Sequence, residues 1–232
     1  MKKTHIFVKI IFSMMPPLVL LPVLLFLLDL LTFFATEAIL FTILPLMYGR
    51  LIFQFDWKKH YDNKKFKSQY MSYFLFFGGV LFTEVVLFLP LTFKWLTLKY
   101  FYLPIPYISS NNTDIFHTLV LSIAFLMVPF LEVFFYNNFV NAEENPILLS
   151  FSLASSTLLH FEALLLFFKM NAKKDYVILL CICFAFNSLS LIAGKTLNMG
   201  TAIAFKTGNN VSILLHLGLF KFKNILMTDV AM

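Results

Sequence analysis

Two adjoining stretches decide the fold: Ile10–Leu28, IIFSMMPPLVLLPVLLFLL, and Leu31–Phe53, LTFFATEAILFTILPLMYGRLIF. Only Asp29, Glu37 and Arg50 are charged between Ile10 and Phe53. A helix needs about 20 apolar residues to cross a bilayer, and each stretch supplies that length. Lys2, Lys3 and Lys9 precede the run, as they would in a secretory signal. A signal core is only ~7–15 residues long, however. The run therefore reads as two retained spans. Asp29 marks the turn between them, and Pro45 is expected to kink the second.

The same reading extends along the chain. Further spans are expected at Met71–Phe93, Ile115–Val140, Ile147–Phe168, Tyr176 to about Phe205, and Val211–Phe220. The sixth is expected to tilt or break near Gly194–Gly200, and the seventh is short for a full crossing. The chain is thus expected to be all-α. It reads as a polytopic membrane protein of about seven transmembrane helices (six to eight), forming one membrane domain over residues 1–232. The segment Asp56–Tyr70, DWKKHYDNKKFKSQY, carries five lysines and is the clearest loop. Its charge puts it, with the N-terminus, on the cytoplasmic side. Strict alternation then places Lys169, Lys173 and Lys174 outside, against the same rule.

Composition excludes other classes. Hydrophobic residues make up 60% of the 232, and charged residues 13%. Soluble domains have roughly 45–50% and 25%. The net charge of +6 comes from lysines between apolar runs, where they meet lipid headgroups, so no nucleic-acid partner is expected. Cys181 and Cys183 lie within one apolar run and read as free buried thiols.

An ionisable group in mid-span costs ~3 kcal/mol on insertion scales, so each needs a reason. The candidates are Glu37, Glu84, Glu132, His160, Glu162 and His216. Glu37 and Glu84 read as protonated or helix-pairing groups, and Glu162 as a group near the interface. Ser156 and Ser212 each stand four residues before a histidine, on the same helix face. Glu132, His160 and His216, on three helices, can converge on one water. The carboxylate would act as general base, while the imidazoles stabilise an oxyanion or hold a metal. Each histidine can equally be a simple interhelical hydrogen bonder.

The order and context of these segments resemble the CPBP family of intramembrane endopeptidases, which includes type II CAAX prenyl proteases and bacteriocin-associated Abi proteins. Glu132-Val-Phe-Phe-Tyr-Asn-Asn138 lies over the family's Glu-Glu-x-x-x-Arg. Leu153-Ala-Ser-Ser-Thr-Leu-Leu-His-Phe-Glu162 is similar to its Phe-x-x-x-His segment. Lys206-Thr-Gly-Asn-Asn210, leading to His216, resembles the turn and His-x-x-x-Asn of its third motif. The likeness covers residues 119–220, the expected catalytic core.

The resemblance implies a peptide hydrolase in which Glu132 activates water beside His160 and His216, with Asn137, Ser156 and Ser212 in support. A metal-dependent variant of this chemistry would have zinc held by His160 and His216 as cofactor. The implied partners are membrane lipids and a membrane-borne or lipidated peptide substrate. The implied location is a bacterial plasma membrane or the endoplasmic reticulum. The departures are Val133 for the second Glu, Asn137 for Arg, Ser156 for Phe and Phe220 for Asn. They support a second reading, a catalytically degenerate scaffold, immunity or regulatory protein. A third reading, a transporter using Glu37 and Glu84, has no internal repeat to support it.

Overall fold

The computed structural model describes residues 2–26, 30–47, 69–92, 99–100, 126–140, 145–169 and 172–228. Among them are seven helical segments. Helix α1 covers Lys2–Phe26 and α2 covers Leu30–Met47. Helix α3 joins Gln69–Thr83 to Leu89–Thr92 through a π-helical turn, Glu84–Phe88. Helix α4 spans residues 126–140 and is π-helical over Phe134–Val140. Then follow α5 (Pro146–Phe167), α6 (Lys173–Thr196) and α7 (Met199–Thr228). A two-residue antiparallel pairing joins Lys99–Tyr100 to Phe168–Lys169. Most of the lysine-rich loop, the fourth expected span before residue 126, and the turn at 141–144 lie outside the described residues.

Among the described residues three helices are long and apolar enough to cross a membrane: Tyr70–Phe88, Pro146–Leu165 and Lys173–Thr196. Shorter apolar stretches occur in α1, α2 and α4. Polarity is distributed inside out. Leu18, Phe74, Phe77, Leu81, Val177 and Ile192 are exposed, whereas Lys9, Ser13, Glu37, Glu132, Asn187 and Lys206 are buried. Buried polar groups and exposed large apolar side chains are the informative exceptions to the usual burial pattern.

The C-terminal third departs from the expected spans. The sixth helix stops at Thr196, inside the Gly194–Gly200 segment where a tilt or break was expected, and does not continue to Phe205. The cause is a cap at Asn198. Its Oδ1 accepts the Thr201 backbone N–H at 2.9 Å, and the Thr201 hydroxyl returns to the Asn198 carbonyl at 2.6 Å. The first of those bonds satisfies a backbone N–H that a helix start leaves free. Helix α7 therefore begins at Met199 and runs for 30 residues, where a short span from Val211 was expected. Lys206-Thr-Gly-Asn-Asn210, expected as a turn, is mid-helix.

Gly208 sits in that helix for packing. A Cβ there would run into the backbone carbonyl of Phe76, and one at Gly79 into that of Phe205. The two glycines face each other's helices and let α3 and α7 approach backbone to backbone. Elsewhere α5 packs on α1 and α6, and the end of α4 is wedged among α1, α2, α5 and α6. There the Phe41 ring lies 5.1 Å from Phe135 and 5.8 Å from Tyr136. The Tyr136 hydroxyl meets Ser155 Oγ at 2.6 Å, and Ser155 donates to the Ser13 carbonyl. One polar chain thus ties α4 to α5 and α1.

Candidate functional site

Glu132 lies on α4 just before its π-helical end, and only 4% of it is exposed. Its Oε1 accepts from Lys206 Nζ of α7 and from the Ser156 hydroxyl of α5. Lys206 also donates to Ser156 Oγ at 3.0 Å. Ser156 Oγ lies 2.7 Å from Oδ1 of Asn187, whose amide donates to the Cys183 carbonyl at 2.9 Å. The ion pair is therefore the centre of a network joining α4, α5, α6 and α7. A buried pair needs such extra bonds, because Coulomb attraction alone does not repay its desolvation.

A cavity of about 20 Å³ adjoins the pair, lined by Glu37, Glu132, His160, Lys206 and Asn210 among apolar neighbours. A second of about 20 Å³ lies beside Ser152, Ser156, Asn187 and Ser190, again with Glu132 and Lys206 in its wall. Each has room for about one water and offers polar partners for it. His160 Nε2 lies 3.4 Å from the Asn209 amide, and its ring is 4.7 Å from that of Phe186. Asn209 is held in turn by the Thr83 hydroxyl at 2.7 Å.

His216 stands apart. Its Nε2 pairs with Glu84 at 2.8 and 3.0 Å. Ser212 donates to the same carboxylate at 2.6 Å. Phe88 stacks on the imidazole with centroids 3.6 Å apart. The His216 and Glu84 side chains are 31% and 39% exposed, and neither residue lines the two cavities. Of the expected triad, Glu132 and His160 come together, and His216 instead clips α7 to the π-helical turn of α3. Ser212 shares the face of His216 as its spacing predicts, and Glu84 pairs helices. Glu162 is buried. The side chains of Asn137 and Phe220 lie outside the described residues.

The donor set does not fit zinc. Among the described residues no three His, Cys, Asp or Glu side chains gather as a ligand group. His160 and His216 serve different partners, and Glu132 already faces an ammonium ion. Cys181 and Cys183 are free thiols, Cys181 exposed and Cys183 buried. No family model, curated protein or solved structure matches this chain.

Lys206, Asn187, Asn209 and Asn210 are the site residues that the sequence reading left out. A signal existed for Lys206: it follows Met199–Phe205, an uncharged and mostly apolar run in which helix can continue. Assigning the following Thr-Gly-Asn to a turn hid it.

Proposed function

We propose that the chain is a polytopic integral membrane protein of the CPBP type, in a bacterial plasma membrane or the endoplasmic reticulum. In this reading it hydrolyses membrane-borne or lipidated peptides at Glu132, His160, Lys206 and Asn210. The observation that carries the reading is their convergence: three helices bring these four side chains to the wall of one water-sized cavity. The exposed apolar and buried polar side chains support the membrane assignment.

The spacing of the third motif supports it too, in a shifted register. Lys206-Thr-Gly-Asn-Asn210 has the form of His-x-x-x-Asn with lysine in the histidine's place. Both end residues line the cavity, as Glu132 and His160 do. Asn210 thereby supplies the amide that Phe220 lacks in the original register. A water in this cavity would give a proton to Glu132 and attack the substrate carbonyl. The Lys206 ammonium and the Asn210 amide are the groups that can oppose charge on the carbonyl oxygen, and His160 lines the same cavity. None of these roles requires a metal ligand set.

A second reading, the catalytically degenerate one, is favoured by the Glu132–Lys206 contact itself. A carboxylate bonded to an ammonium and a hydroxyl can be a structural anchor. One experiment separates the readings. Purified protein in liposomes is given a fluorogenic peptide bearing a C-terminal isoprenoid. The hydrolase reading expects cleavage that falls ~10²-fold or more in Glu132→Gln and stays within a few-fold of wild type in His216→Ala. Absence of cleavage by folded wild type overturns it in favour of the degenerate reading, and cleavage indifferent to Glu132→Gln overturns the assignment of the site.

A further inference from the structure

Glu37 is on α2, only 3% exposed, and in the wall of the same cavity. Its Oε2 has no hydrogen-bond partner among the described residues. The charged groups in electrostatic reach are Glu132 of α4, Glu162 of α5 and Lys206 of α7. His160 of α5 adds an imidazole to the cavity wall. Three carboxyl groups therefore share one ammonium, and that ammonium is bonded to Glu132. An isolated carboxylate in apolar surroundings is so costly that such a group takes up a proton instead.

We propose that Glu37 is the proton donor of this cavity, a neutral carboxylic acid that hands its proton to the nitrogen leaving the cleaved peptide bond. The inference rests on the hydrolase reading. As the water oxygen bonds to the carbonyl carbon, Glu132 takes the water's proton. The C–N bond then breaks and its electron pair stays on nitrogen, which takes the proton of the Glu37 carboxyl. The proton on Glu132 returns to Glu37 through the cavity, so the net change is addition of water across the peptide bond. Two carboxyls take opposite roles because Lys206 is bonded to Glu132, whereas Glu37 shares the cavity with that ammonium without a bond to it.

Two measurements test this. In the infrared spectrum of the protein in liposomes, a protonated carboxyl gives a carbonyl band that shifts on exchange into heavy water. Part of that band is expected to vanish in Glu37→Gln, to persist in Glu132→Gln, and to be retained in Glu37→Asp. A band unchanged in Glu37→Gln, or lost in Glu132→Gln, overturns the proposal.

The second measurement compares an amide substrate with an activated ester of the same peptide. A proton donor matters for a poor leaving group, so Glu37→Gln is expected to slow the amide ~10²–10⁴-fold and the ester only a few-fold. Equal losses on both substrates indicate a structural role and overturn the proposal. Wild type that cleaves neither substrate overturns the hydrolase reading and the donor role together. The infrared band still reports separately on the proton of Glu37.

Discussion

Lys206→Met is expected to destabilise the protein by about 3–5 kcal/mol, the usual cost of removing one partner of a buried ion pair. The substitution keeps the bulk of the side chain and deletes its charge and its hydrogen-bond donors. Glu132 is then left as a buried carboxylate whose remaining described donor is the Ser156 hydroxyl. The loss spreads, because Lys206 also donates to Ser156, which contacts Asn187. Thermal unfolding in detergent, followed by the fluorescence of a thiol dye at Cys183, reads the change. With the exposed Cys181 replaced by serine, the only thiol left is the fully buried Cys183, so labelling marks opening of the bundle. A melting temperature equal to wild type would show that the pair contributes no stability.

Gly208→Leu is expected to be the most disruptive change outside the site. Even a methyl group there meets the Phe76 carbonyl, and backbone cannot rotate aside as a side chain can. Overpacking a tight contact costs typically 1–3 kcal/mol, and leucine against backbone belongs at or above the top of that range. Because α7 carries Lys206, Asn209 and Asn210, pushing it from α3 would also spoil the Thr83–Asn209–His160 chain. Gly78→Ala is the control. The nearest atom to a Cβ at Gly78 is Leu75 Cδ2, 4.0 Å away, so little change is expected. Similar melting temperatures for Gly208→Leu and Gly78→Ala would contradict the close approach of α3 and α7.

Helix existence was legible wherever apolar runs were long and bounded by charge or proline. The expected span at Met71–Phe93 matches α3, and the one at Ile147–Phe168 matches α5, within a residue or two. The break between α6 and α7 falls inside the expected Gly194–Gly200 segment, but the long helix that starts directly after it was not legible. That start depends on the Asn198 cap and its bonds to Thr201, whereas Gly208 reads locally as a turn. Reading a turn there had a consequence for the site. A helix starting at Met199 puts Lys206 and Asn210, one turn apart, on the face towards Glu132, and carries His216 further along to Glu84. Glu132 and His160 were identifiable as polar residues in apolar helices. Lys206 was hidden by the turn assigned to the Thr-Gly-Asn after it, and its pairing with Glu132, 74 residues away, is beyond what spacing within one helix reveals.

The most direct test of the account is a pair of double-mutant cycles read by unfolding free energy. One combines Glu132→Gln with Lys206→Met, and the other combines Glu132→Gln with His216→Ala. Contacting residues couple by about 0.5–3 kcal/mol, and separate ones add within about 0.3–0.5 kcal/mol. The account predicts coupling in the upper part of that range between Glu132 and Lys206, and additivity between Glu132 and His216. Strong coupling of Glu132 to His216, with none to Lys206, would contradict it and return the third histidine to the site.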